Sequence, residues 1–275
     1  MRKQLKLCII GRGVHAKRIQ KILKLKKIKY NTYVPNSKKN FLKENISHLK
    51  KYKIFFIVSP NNTHIHYLKN LSKNSYIFCE KPPVNSKKDL AFIKKINSKK
   101  IFYNFNFRFS KIAQILKNTN KYNLKKLIYF NIISGHGLAL KKTVYKKNWR
   151  SNKKFCAKGV FEMAAIHWID LINYIFEKVS FTKPNLYNIS KIGNSFDNSV
   201  VKAKIKERIV GEIFTSYTSP LISKKIFIFS NGVIEQDENQ IVVRGPALNL
   251  NKDKFFIKPK IIKKFNIEEN LDYYN

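Results

Sequence analysis

The chain has 275 residues, 44% of them hydrophobic, a formal charge of +40 and three cysteines. That length suits two modest domains or one large one, and no apolar run approaches the roughly 18 residues needed to span a bilayer. Cys8, Cys79 and Cys156 are odd in number, far apart and without CxxC or metal spacing, which argues against a disulfide framework or a zinc site.

A positive excess this large ordinarily points to nucleic acid or an acidic surface. Here lysine carries nearly all of it. Arginine, the better reader of bases and phosphates, occurs only at positions 2, 12, 18, 108, 150, 208 and 244. The lysines are spread over the whole chain among Ile, Asn, Phe and Tyr, all of them encoded by A/T-rich codons, so base composition accounts for much of the bias. Nucleic acid is therefore not the expected partner; a field that draws in anionic small molecules is. The N-terminus is basic and then apolar, too short for a signal h-region, and runs into a glycine motif instead of a cleavage site. It reads as a strand, and the protein is expected in the cytoplasm with no membrane partner.

Residues 5–10 are apolar apart from Lys6, as a buried parallel strand should be. Gly11-Arg12-Gly13-Val14-His15-Ala16 follows, a G-x-G-x-x-A dinucleotide fingerprint. The first glycine permits a tight turn, the second lets backbone approach a pyrophosphate, and Ala16 is small enough for helix–strand packing. Ile19, Ile22, Leu23 and Leu25 then have helical spacing. Residues 28–34 read as a second strand, whose end should carry an acid for the adenosine ribose. Val34-Pro35-Asn36-Ser37-Lys38-Lys39 has none. Asn36 and Ser37 could bond a ribose hydroxyl or a 2′-phosphate, Lys38 could add charge, and the missing carboxylate tilts the expectation toward NADP over NAD.

Residues 41–52 read as one helix and 54–58 as a strand. After Ser59-Pro60-Asn61 a helix should open near Asn62, capped by Asn62 or Thr63, with Ile65, Leu68 and Leu71 inward. His64 and His66 stand two apart on that helix and point away from each other, so no metal pair is expected. The run Tyr76-Ile77-Phe78-Cys79 is a short buried strand that must stop at Glu80-Lys81-Pro82-Pro83. Lys81, the residue before a proline, is pushed to extended geometry at the strand's C-terminal edge, where open α/β sheets bind ligands. Taken alone, this is an ordinary strand-to-helix turn. A helix over 87–98 and an aromatic run over 101–108 complete an alternation that predicts a doubly wound parallel sheet over residues 1–107.

Past a short helix at 110–117 the texture becomes β-rich, with strands expected over 128–134, 200–205, 209–215, 225–229, 233–236 and 241–244. Asn231-Gly232 marks a hairpin. A helix over 159–176 interrupts the strands and carries His167, Trp168 and Asp170. Residues 108–275 are thus expected to form an α/β domain with an open, mainly antiparallel sheet and a helix packed on it. The acidic stretch at 268–272 reads as surface.

Four landmarks in this order, Gly11-x-Gly13-x-x-Ala16, Ser59-Pro60-Asn61-x-x-His64, Glu80-Lys81-Pro82 and Gly159 through His167-x-x-Asp170, resemble the Gfo/Idh/MocA family of nicotinamide-dependent oxidoreductases. Arg108 after an aromatic strand and Trp149-Arg150 before the helix also match. The likeness covers about 5–180; beyond that only the β-rich texture agrees. It implies a Rossmann domain followed by an α/β domain whose open sheet forms a homo-oligomer interface, and NAD(P)-dependent hydride transfer at a carbinol or carbonyl carbon of a sugar or sugar derivative. Surface-polysaccharide or nucleotide-sugar metabolism is one such setting. The resemblance makes Lys81 the residue that touches both cofactor and substrate and His167 the acid/base on the substrate side. The cofactor set is then Gly11, Arg12, Gly13, Val14, His15, Ala16, Asn36, Ser37, Lys38, Ser59, Pro60, Asn61, His64, Glu80 and Lys81. The substrate set is Lys81, Arg108, Trp149, Arg150, His167 and Asp170, with no metal.

The chemistry suits these roles. A histidine titrating near neutrality matches proton transfer at a carbinol, and an ammonium beside the oxygen stabilises a developing alkoxide. Asp170, one turn after His167, could orient the ring or serve only the helix. His167 could itself be a core histidine, and Arg108 could bind an anion or join the two domains. The chain departs from the family at Met163, where many members have an acid one turn before the histidine. Glu162 is one place off, about 100° away on an ideal helix. Ala157-Lys158-Gly159 replaces a more glycine-rich run, and the chain is shorter than typical members. These departures keep open a catalytically degenerate NAD(P)-binding protein with a regulatory or structural role.

Overall fold

A computed structural model describes residues 6–35, 45–84, 86–96, 98–246 and 250–267. The chain divides into two compact units, Met1–Asn104 and Phe105–Asn275. No helix among the described residues is long and apolar enough to cross a membrane.

In the first unit β1 (Leu7–Ile10), β2 (Asn31–Tyr33), β3 (Ile54–Ile57), β4 (Tyr76–Cys79) and β5 (Ile101–Tyr103) form a parallel sheet in the order β2-β1-β3-β4-β5. Alternate side chains leave opposite faces of each strand. Leu7 and Ile9 meet Ala16 and Leu23 of α1 (Val14–Leu25). Cys8, Ile10, Phe55 and Ile57 meet Tyr67, Leu68 and Leu71 of α2 (His64–Leu71). Helices therefore cover both faces, and the strand order changes direction between β1 and β3. The C-terminal ends of β1, β3, β4 and β5 put the glycine loop, Ser59, Glu80 and Asn104 along one edge.

Several local expectations are corrected. Within residues 45–52 there is a 3-10 turn, Ser47–Lys51, that buries only Leu49, too few apolar positions to hold a longer helix. The second strand shrinks to Asn31–Tyr33, largely exposed at the sheet edge and followed by Pro35. Helix α2 begins after a 3-10 turn, Asn61–Thr63, with no side-chain cap. That turn shifts its phase, so His64, His66 and Tyr67 are buried while Ile65 is only half-buried. Helix α3 (Lys87–Lys95) stops where Ile96 turns extended. The run at 101–108 is a strand only to Tyr103; Asn106–Phe109 is 3-10.

The second unit opens with α4 (Lys111–Lys117), capped by Ser110, whose Oγ accepts from the Ala113 N–H, and its next helix, α5 (Lys142–Lys146), is a short one. Its strands are β6 (Leu127–Gly135), β7 (Val179–Phe181), β8 (Asn185–Tyr187), β9 (Asn198–Ile205), β10 (Arg208–Ser216), β11 (Ile222–Phe229), β12 (Gly232–Asp237), β13 (Gln240–Arg244) and β14 (Ile261–Asn266). Their order is β14-β13-β12-β11-β6-β10-β9-β7, with β8 paired to β9. All pairs are antiparallel except β6 with β10. The Asn231-Gly232 hairpin stands, joining β11 to β12. The helix expected over 159–176 is present but not α-helical throughout: its first part, Phe161–Ala165, is a π-helical turn that runs directly into α6 (Ile166–Ile175). Trp168, Leu171 and Ile172 of α6 and Ile112, Ile115 and Leu116 of α4 pack on Phe130, Ile132, Ile213 and Phe227 of the sheet.

Candidate functional site

At the β1/β3 junction the glycine loop is fitted closely on one side and open on the other. Gly11 has φ +132°, and a Cβ there would lie 2.6 Å from the Val58 carbonyl oxygen, so only glycine fits. Its N–H donates to Tyr33 O at 2.9 Å. Gly13 is exposed, and a Cβ on it would meet nothing within 4 Å. It stands at the N-cap of α1, a 12-residue helix with no side-chain cap and no acid in its first turn. The positive end of the helix dipole thus faces open space, an arrangement suited to a pyrophosphate. Arg12 and Val14 are exposed and Ala16 is buried against β1.

Glu80 ties this loop to the β4 edge. Its Oε1 lies 2.6 Å from His15 Nε2 and accepts from Asn104 Nδ2 at 2.5 Å. Burial pushes the carboxyl up, but the His15 and Asn104 hydrogen bonds and the Lys81 charge outweigh it and hold the group below the usual glutamate range. Glu80 is therefore a carboxylate at neutral pH. Lys81 beside it is 9% exposed and precedes a cis proline.

His64 does structural work at the same edge. It is fully buried, with Nδ1 2.8 Å from Pro82 O and Nε2 2.8 Å from Ser59 O. Burial lowers its pKa, the two carbonyls offsetting only part of that. The ring joins the loop after β3 to the loop carrying Lys81. Ser59 Oγ and Thr63 Oγ1 share a 2.6 Å hydrogen bond, and Thr63 donates to Pro60 O, while Asn61 is buried beside them. Asn36, Ser37 and Lys38 lie outside the described residues, as does the acidic stretch at 268–272.

In the second unit His167 follows the π-helical turn. Its ring stacks on Phe107 at 4.5 Å and 18° and meets Phe105 edge-on. It lines a cavity of about 230 Å³ with Met163, Trp168, Ser134, His136, Ser223, Lys225 and Gln236. Gly159, φ +54°, admits the approach of Phe196 to the helix start, where a Cβ would stand 1.7 Å from the Phe196 oxygen. Met163 lies beside the apolar cluster of Tyr145, Val160 and Tyr217. Glu162 is buried, and its Oε2 accepts from the Lys158 N–H at 3.2 Å. Burial and then Glu162 push the Cys156 thiol well up. The Glu162 carboxylate thus turns back onto the segment before the helix and is not part of the cavity lining. The π turn replaces the α-helical spacing on which the one-turn comparison of Met163 with His167 relied.

Other sequence-selected residues sit apart from this cavity. Asp170 accepts from Arg108 through both oxygens, at 2.7 and 2.5 Å, and the guanidinium lies over Tyr174. Arg150 stacks on Trp149 at 4.6 Å. Trp149 borders a separate depression with Lys146, Lys147 and Asn194. Sequence reasoning missed Asn104, His136, Ser223, Lys225 and Gln236. Lys225 was readable in principle, since it shares the inward strand phase of Phe227 and Phe229.

No family model matches the sequence, and no curated protein matches it. Solved structures do. One, classed as an NADPH-dependent oxidoreductase from Desulfitobacterium hafniense, is 13% identical over 99% of this chain and 85% of its own, with a TM-score of 0.79. Levoglucosan dehydrogenase in complex with NADH and levoglucosan is 12% identical over 96% and 80%, with a TM-score of 0.71. GenD2 from gentamicin A biosynthesis, in complex with NAD, is 11% identical over 94% and 81%, also with a TM-score of 0.71. At these identities the likeness establishes the fold, and that fold is the one of Gfo/Idh/MocA-type dehydrogenases.

Proposed function

We propose that the chain is an NAD(P)-dependent oxidoreductase acting at a carbinol or carbonyl carbon of a sugar or sugar derivative. The observation that carries this is the glycine loop: Gly11 fixed against Val58, Gly13 open, and an uncapped helix N-terminus at the β1/β3 switch point. Gly11 to Ala16, Ser59 to Asn61 and Glu80 would hold the dinucleotide, with His64 fixing the backbone that carries them. Bound there, a nicotinamide would supply the hydride acceptor or donor. The absent acid after β2 supports NADP ahead of NAD; the neighbours, whose descriptions name NADPH, NADH and NAD, support either.

In the oxidative direction His167 receives the proton of the substrate hydroxyl as the carbinol carbon is oxidised, and in reduction it returns that proton to the oxygen. The Lys81 ammonium stabilises the negative charge that develops on the same oxygen. The Arg108–Asp170 pair, and Arg150 stacked on Trp149, lie outside the lining of the His167 cavity and are given no part in this step. Sugar ligands named for the neighbours, levoglucosan and L-sorbose, support this substrate class. Nucleotide-sugar or surface-polysaccharide metabolism is the setting we favour, in the cytoplasm. Half-exposed Tyr129 and Ile228 on the outer face of the large sheet support a homo-oligomer formed there.

Lys81→Ala tests the mechanism. It is expected to keep NAD(P)H binding, followed by nicotinamide fluorescence, and to lose turnover by about 100-fold or more. Full turnover in that variant would remove Lys81 from the chemistry. One observation favours a second reading, an NAD(P)-binding protein without turnover: Met163 offers no acid beside His167, and Glu162 is engaged elsewhere. Saturable NAD(P)H binding with no redox change over a broad sugar panel would establish it.

A further inference from the structure

The cavity beside His167 has a wall that the proposed hydride and proton transfer does not use. Strands β6, β11 and β12 turn Ile132, Phe130, Phe227 and Ile234 inward. In the same phase, toward one end, they turn Ser134, Ser223, Lys225 and Gln236 inward. Ser223 is paired with Ser134 and Lys225 with Gln236. Lys225 is 3% exposed, its ammonium hydrogen-bonded to Ser223 Oγ and 5.2 Å from the Trp168 ring centroid. Gln236 is 6% exposed, and its Oε1 is buried without a hydrogen-bond partner among the described residues. The described residues that line the cavity include this lysine, two histidines and three serines, and no carboxylate.

A buried ammonium is costly, and an apolar side chain in the phase of Phe227 and Phe229 would pack the same place at lower cost. Polar groups kept inward at the wall of a cavity point to a ligand. The cavity's volume of about 230 Å³ is below the usual range for drug-sized ligands and suits a single sugar ring. One ammonium with neighbouring hydroxyls suits a single negative charge; a phosphate dianion is more often held by arginine forks.

We infer that the cavity takes a sugar acid, whose carboxylate is bound by Lys225 and Ser223 while its hydroxyls meet Gln236 and His167. Lys225 is then the specificity-determining residue that separates sugar acids from neutral sugars. The identity of the reacting substrate rests on the dehydrogenase reading above; the binding does not.

Isothermal titration of the whole protein separates the two. The probes are D-glucuronate and D-galacturonate, with glucuronamide, D-glucose and glucose 6-phosphate as comparisons. At least one acid is expected to bind wild type roughly 10- to 100-fold more tightly than the amide and the neutral sugar, the scale of a charge-assisted hydrogen bond. Lys225→Met is expected to lose that preference, with thermal unfolding confirming that it folds. The acid–amide comparison on wild type needs no variant. Equal binding of acid and amide, tighter binding of the phosphate, or no binding of either acid would overturn the inference. Acid selectivity without nicotinamide turnover would support the inference and remove the enzyme reading. Turnover confined to neutral sugars would keep the enzyme and overturn the inference.

Discussion

Replacing Gly13 by aspartate should separate stability from cofactor binding. A Cβ at this position meets nothing within 4 Å, so the side chain enters without a clash. It would stand at the N-cap of α1, which has no side-chain cap and no acid in its first turn. Aspartate is a better N-cap than glycine by a few tenths of a kcal/mol, and its charge favours the helix dipole by about 0.5 kcal/mol. The fold should therefore be as stable as wild type or slightly more so. The same carboxylate occupies the N–H groups a pyrophosphate needs and repels it. Two like charges about 5 Å apart cost about 3 kcal/mol at an effective dielectric near 20, and solvent exposure reduces this. NADPH affinity, measured by nicotinamide fluorescence, should fall roughly 10- to 100-fold. Thermal unfolding on the same sample should show no loss. Unchanged affinity would refute the assignment of this helix end to the phosphates, and a large drop in melting temperature would refute the reading of Gly13 as open.

Gly11→Ala should behave in the opposite way: its Cβ meets the Val58 carbonyl and its φ is +132°, so the variant should lose on the order of 3 kcal/mol in denaturant unfolding. Acid should weaken the first unit in two stages. The His64 pKa is lowered in the fold, chiefly by burial, so protonation favours the unfolded chain, and stability should begin to fall as the pH drops below the ordinary histidine value of about 6.5. Glu80 is also held low, so its contribution is present above the ordinary glutamate value of about 4.3 and lost as the pH falls below it. Hydrogen exchange of the β3 and β4 amides against pH reads this. His64→Gln should flatten the upper stage and Glu80→Gln the lower, and a flat profile in wild type would contradict both.

The parallel sheet and its loaded edge were readable because each piece has a local cause. Gly11 must turn under Val58, Pro82 must end β4, and uniform apolar strands with helices between them pack only in one way. The Asn231-Gly232 hairpin was readable for the same reason. The structure departs from the sequence reading where tertiary contacts decide. The π turn at Phe161–Ala165 leaves the apolar spacing of a helix intact, so periodicity alone reads residues 159–176 as regular. Glu80 holding both His15 and Asn104 is a contact across the ends of three elements, and Asn104 itself looked like one polar break in an aromatic run. Lys225 was passed over because lysine is so common in this chain that one on an inward strand phase carried no contrast. Lys81 stood out from its place before Pro82 at the end of β4, and the resemblance then gave it and His167 their chemical roles.

The direct test of those roles is the absorbance at 340 nm when the purified protein is mixed with NADP⁺ or NAD⁺ and a panel of sugars and sugar acids, with NAD(P)H and carbonyl sugars for the reverse direction. At least one substrate should give a rate that falls about 100-fold or more in His167→Asn while NADPH binding is kept. Saturable cofactor binding with no absorbance change for any panel member, or a rate untouched by His167→Asn, would contradict that expectation.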